Sequence, residues 1–264
     1  MSFQYQAGPL SSQRLTTLRK GKVYAVCSRL AKRPLLGYHI FEPGRMELCI
    51  FPLNTVLFPG HVLPLQVFEP RYKKMMGRVL GADGCFGITL IRRGLEVGGP
   101  AEPFEVGTVA RVVEAERQAD GRLKLLVRGE QRFRLRAVRF HRDGYLVGDA
   151  ELLVERPEDP KQLAALAAAV RDLYLDYLRG LAEVVPFDGK FLPEDPGALA
   201  HWVAATLPID PLEKQRLLEL DWASQRLTAE IGLLRREQAL ADRVGYLGAR
   251  PPDELSQRLV GRNN

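Results

Sequence analysis

The hydrophobic period of this chain changes once, near Pro157, and that change limits the folds open to it. Upstream, short apolar runs are separated by Pro, Gly and Asp-Gly turns, the punctuation of β-strands. Downstream, Leu163, Leu166, Ala167, Val170, Leu173, Tyr174, Tyr177 and Leu178 recur at three- and four-residue steps, the stripe of an amphipathic helix. Strands first and helices second predict an α+β chain, with a β lobe followed by a helical lobe.

The β part predicts strands over 47–51, 62–68, 84–91, 106–116, 122–127, 131–140 and 145–154. Pro70 marks the first turn of a short helix reaching residue 80. Residues 94–105, with Gly98-Gly99-Pro100, are predicted as a loop, and Asp120-Gly121 and Asp143-Gly144 as turns. Alternation sends Phe133 and Leu135 inward and leaves Arg132, Arg134 and Arg136 on a solvated outer face. In the helical part, Asp195-Pro196 and Asp210-Pro211 each offer a capping carboxylate followed by a proline suited to the first helical position. They predict helices reaching residue 207 and residue 220. A last helix over 221–243 is striped by Leu227, Ile231 and Leu234, and 245–264 reads as a tail.

The net charge of +6 is unevenly placed. Residues 1–45 hold eight Lys and Arg against the single acid Glu42, while the remaining 30 basic and 31 acidic residues nearly cancel. This basic segment has no sustained hydrophobic period. It is expected to be either an upstream reading outside the native chain, which would then start at Met46, or a loose tail. Beyond it the balance gives no electrostatic case for nucleic acid. No apolar run is long enough to span a bilayer, and the N-terminus has no secretory pattern. Three scattered cysteines, Cys27, Cys49 and Cys85, fit a reducing cytoplasm.

Sites for chemistry do not emerge. Gly21-Lys22 and Gly189-Lys190 lack the upstream glycine and following hydroxyl of a phosphate-binding loop. No GxSxG elbow is present. His39, His61, His141 and His201 are too dispersed for a zinc signature. Glu69 and Arg71 are expected to hold a strand-to-helix corner as a local ion pair. No catalytic residue, metal ligand or cofactor is assigned, and the chain is read as not an enzyme.

Several short stretches, in order, resemble the N-terminal substrate-binding domain of the Lon protease family. They are Phe51-Pro52-Leu53, then Val56-Leu57-Phe58-Pro59-Gly60-His61-Val62-Leu63-Pro64-Leu65, then Phe68-Glu69-Pro70-Arg71-Tyr72. Val106-Gly107-Thr108-Val109-Ala110, Gly129-Glu130-Gln131-Arg132-Phe133 and Glu213-Lys214-Gln215-Arg216-Leu217-Leu218-Glu219 continue the series. The resemblance implies a PUA-like β-barrel lobe over 46–156 and an α-helical bundle lobe over 157–244. With no Walker motif and no room for the ATPase or protease domain, it implies a stand-alone, non-catalytic, polypeptide-binding module. The implied partners are unfolded or degron-bearing polypeptides, and the resemblance also admits an ATP-dependent protease and a second copy of the chain. The candidate contact residues are Leu57, Phe58, Pro59, Phe187, Phe191 and Leu192, each with core packing as the competing role. PUA-like barrels also raise RNA binding as an alternative, which the charge balance disfavours.

Overall fold

The computed structural model describes residues 40–42, 44–181 and 191–248. Residues from 39 onward cluster as one compact unit. Strand β1 (Ile40–Glu42) pairs antiparallel with β2 (Arg45–Leu53), so regular structure begins a few residues ahead of Met46. Then come β3 (Val62–Val67), α1 (Pro70–Gly81), β4 (Cys85–Gly94), β5 (Ala101–Arg117), β6 (Leu123–Phe140) and β7 (Leu146–Leu152). The helical part holds α2 (Pro160–Leu181), α3 (Pro196–Thr206), α4 (Pro211–Glu219) and α5 (Ala223–Gly248).

The sheet curls because β2 divides its length between two partners. Residues 45–50 pair antiparallel with β7, and residues 50–53 pair parallel with β4. Antiparallel ladders then join β4 to β5, β5 to β6 and β6 to β7. The pairings therefore run from β2 around to β2 again, while β3 hangs on β6 as an edge. Pro64 suits that edge, since a proline cannot donate to a second neighbour.

Two expectations are corrected here. The predicted strands 122–127 and 131–140 are one continuous β6 of 18 residues, running straight through Gly129. The predicted loop 94–105 shrinks to residues 95–100, because β4 and β5 extend to meet in a hairpin. In both places glycine and proline look like turn signals but sit within or beside long strands.

Both faces of the sheet are buried. On one, Tyr72, Met75, Met76 and Val79 of α1 pack on Phe51, Phe86, Ile88, Leu125, Val127 and Val147. On the other, the sheet closes on itself around Ile50, Phe133 and Leu135, and Gly87, Gly107 and Gly148 face these side chains. A Cβ at any of these glycines would enter space that Ile50, Phe133 or Leu135 already fills.

The helices start as the sequence predicts. Asp195 accepts from the Ala198 amide at 2.8 Å and Asp210 from the Leu212 amide at 2.7 Å, each with proline at the head of its helix. The helical core gathers Val170, Tyr174, Leu199, Val203, Leu218 and Leu227, and it also takes Val56, Phe58, Leu90 and Val106 from the β lobe. The two lobes share a core.

Gly129 allows the closest approach in this shared region. Its amide donates to the His61 carbonyl at 2.9 Å, and its carbonyl accepts from the Gly60 amide at 2.8 Å. A Cβ there would collide with the Phe58 carbonyl oxygen. Gly129→Ala is expected to cost about 1–3 kcal/mol, read as a lower urea midpoint at unchanged m-value.

Candidate functional site

The segment between β2 and β3 is a plug driven into both cores. Val56 and Phe58 enter the helical core, while Leu57 between them enters the α1-side core. The Thr108 hydroxyl donates to the Leu57 carbonyl at 2.6 Å and fixes the segment from below. Leu57 and Phe58 are thus interior residues, and Leu192 is buried in the helical core too. The expectation that these three present a binding surface is corrected by that burial. Pro59 is half-buried at the tip and Phe191 is 37% exposed. Phe187 lies outside the described residues.

What the fold builds at this tip is an aromatic patch drawn from both lobes. The Trp202 ring of α3 stands 6.3 Å from His61, edge-on, and 6.3 Å from Phe191, tilted. Lys214 reaches from α4 to the Ala205 carbonyl at 2.7 Å. Burial, and then the nearby Lys214, lower the pKa of His61, and burial lowers that of Lys214. The imidazole at the edge of this aromatic cluster is therefore neutral at pH 7. Sequence reasoning misses His61 and Trp202 because only the fold brings residues 61, 191 and 202 together. Among the described residues no cluster of His, Cys, Asp and Glu could hold a metal ion.

Beneath the patch lies a buried polar junction. Arg132, expected on a solvated face, is only 2% exposed. Its side chain points to the face that the alternation predicts, but the helical lobe covers that face. The Arg132 guanidinium donates to the carbonyls of Leu218 and Leu220 at 2.8 and 2.7 Å and meets Glu155 at 2.9 Å. Arg226 donates to the carbonyls of Leu217 and Leu220 at 3.1 and 2.8 Å and approaches Glu155 at 3.6 Å. His201 faces the same carboxylate at 3.4 Å. Burial alone would raise Glu155, but the His201 hydrogen bond and the two arginines outweigh it and hold it below the usual range. Burial, aided by Arg226 and Arg132, pushes His201 down to about 4 against the pull of Glu155.

The rest of the basic stretch is paired with acids. Arg136 meets Glu151 at 2.5 Å, Arg139 meets Glu47 at 2.6 Å, and Arg134 lies 4.0 Å from Asp221. At the strand-to-helix corner, Arg71 and Glu69 form the expected ion pair at 3.1 Å, and Arg71 also donates to the Gly99 carbonyl at 3.0 Å.

The sequence profile of the ATP-dependent protease La (LON) substrate-binding domain matches residues 47–236. The chain belongs to this Lon substrate-binding domain family. The Lon protease of Xanthomonas oryzae is 28% identical over 213 residues, covering 78% of this chain and 24% of that protein. Lon protease 2 of Syntrophobacter fumaroxidans is 30% identical over 210 residues, covering 75% and 26%. The chain thus spans about a quarter of the length of these relatives. Its family match is to their substrate-binding domain, not to ATPase or protease domains. The crystal structure of a Lon N-terminal domain protein from Xanthomonas campestris superposes with a TM-score of 0.54 at 25% identity, covering 71% of this chain and 98% of that one. The N-terminal domain of the Mycobacterium avium complex Lon protease shares the fold, with a TM-score of 0.57 at 22% identity over 72% of this chain and 98% of that one. Among the described residues of this Lon-family chain, no helix is long and apolar enough to cross a membrane.

The junction makes a pH prediction. His201 is depressed in the folded state, so between about pH 6.5 and 4 the unfolded chain binds a proton that the folded chain refuses. Its contribution is whole above the unfolded pKa and is lost as pH falls through that window. The loss should reach on the order of 3 kcal/mol. Denaturation from pH 7 to 4.5 should show a shallower decline for His201→Gln than for the parent, and equal slopes would refute the assignment.

Proposed function

We propose that this chain is a non-catalytic polypeptide-binding module that takes apolar side chains of unfolded or degron-bearing proteins on its two-lobe aromatic patch. The observation that carries the reading is the meeting of His61 from one lobe, two residues along the chain from the half-buried Pro59, with Trp202 and Phe191 from the other. Large aromatics give contact area at small conformational cost, and a rigid platform keeps that cost low. The plug below supplies the rigidity, since Leu57 and Phe58 anchor the tip that bears Pro59. The family description supports the same reading, because the matched domain is a substrate-binding one. Its relatives are ATP-dependent proteases by name, so a protease that receives the held polypeptide is the partner proposed with it. Phe187, outside the described residues, stays a proposed contact on sequence grounds.

A reduced, carboxymethylated protein that cannot refold is a suitable probe. The module should bind it in preference to the same protein in its native form. Phe191→Asp, at an exposed position, and Pro59→Asp, at a half-buried one, should each weaken binding by roughly fivefold or more while leaving the circular dichroism spectrum unchanged. Equal binding of native and unfolded forms, or indifference of the double variant, would overturn the proposal.

A further inference from the structure

The ladder between β5 and β6 stops early. Its last pair is Val106 with Arg134. Beyond it, residues 101–105 of β5 have no partner on β6, and residues 135–140 of β6 pair with β7 alone. The strands part because they follow different neighbours. Phe104 packs against the helical core and draws β5 aside, while Val138 and Phe140 stay in register with Gly148 and Leu146.

The gap is an apolar groove of about 440 Å³ on the outside of the molecule. Pro103 lines one wall, and Val138, Phe140 and Leu146 line the other. Cross-strand partners share a face. Val138 and Phe140 therefore continue the face on which Gly148 meets Leu135 and Ile50. Yet they are 40% and 61% exposed, which makes the groove the open end of a hydrophobic core. Three charged residues line it: Arg93, Glu102 and Arg139. Glu102 is held by Arg92 and Arg139 by Glu47, which leaves Arg93 as the lining charge with no ion-pair partner among the described residues.

We infer that this gap accepts an extended polypeptide segment by strand addition, with apolar side chains at alternate positions and an acidic residue at the Arg93 end. A strand laid there gains backbone partners on the open edge, and every second side chain turns into the groove. Residues 135–140 offer roughly 20 Å of edge, enough for about six residues. The unpaired Arg93 favours a carboxylate over an ammonium group at that end. This inference rests on the polypeptide-binding reading and adds a second contact with a sequence preference of its own.

The probe is a fluorescein-labelled octapeptide that alternates valine and threonine and ends in glutamate. It should bind the full chain and lose about tenfold in affinity with Phe140→Ser and with Val138→Asp. Replacing its last residue by lysine should weaken it, and Arg93→Glu should reverse that preference. Methylating alternate peptide amides should abolish binding in one of the two phases, and bound peptide should slow amide exchange in residues 135–140. Binding that is indifferent to Phe140→Ser and Val138→Asp, or to amide methylation in both phases, overturns the inference. So does a dimer that Phe140→Ser dissolves, since the groove would then cover a second copy. If the unfolded protein still binds and responds to Phe191→Asp while the octapeptide does not bind, strand addition fails and the aromatic patch stands. If no unfolded chain binds at all, both readings fall.

Discussion

Two arginines that cap one helix end hold the lobes in place. The last carbonyls of α4 have no partner within the helix. Arg132 from β6 and Arg226 from α5 supply it, donating to Leu217, Leu218 and Leu220. A positive group at a helix C-terminus also meets the negative end of the helix dipole. Because one cation comes from the sheet and the other from the last helix, the contact fixes α4 against both. The shared core of the two lobes closes around the same helix through Leu217 and Leu218.

Burying two guanidinium groups is expensive unless each is matched. Here one carboxylate serves both, since Glu155 faces Arg132, Arg226 and His201 from the segment linking β7 to α2. Glu230, one helical turn beyond Arg226, adds no comparable charge. Burial raises its pKa well above the usual range, and its oxygens have no hydrogen-bond partner among the described residues. The balance therefore leans on backbone carbonyls as much as on the ion pair. Such a junction tolerates little movement, because a carbonyl displaced from an arginine leaves a buried charge unanswered. That intolerance suits a surface whose two halves come from different lobes.

Much of the fold was legible in the sequence because periodicity and capping are local. The switch near Pro157, the two Asp-Pro helix starts and the Glu69–Arg71 corner each depend on residues a few positions apart. The continuity of β6 was not legible. Gly129 reads as a turn, whereas its role is to let the Phe58 backbone approach. Arg132 failed for a related reason: alternation gives the phase of a side chain but not what covers the face it points to. The candidate site was half visible. The resemblance drew notice to the segment around Phe58, but apolar residues in a loop do not say which are anchors and which are contacts. Burial divides them, leaving Leu57, Phe58 and Leu192 inside and Pro59 and Phe191 at the surface.

The same division of the β lobe produces both candidate contacts. Where β6 crosses under the helices, Gly129 and Arg132 tie it to the plug and to α4, and the surface above is closed and aromatic. Farther along, β5 follows Phe104 toward the helical core while β6 keeps to β7, and the sheet opens. The helical lobe is thus the cause of the gap as well as the cover of the opposite face. An opening of this kind would ordinarily be a liability, since unpaired strand edges beside exposed Val138 and Phe140 invite association. The protections commonly seen on such edges are only partly present. Pro103 blunts one wall and Arg93 places a charge at one end, but Phe140 remains outward. An edge left apolar and only half guarded fits a surface that is meant to be covered part of the time.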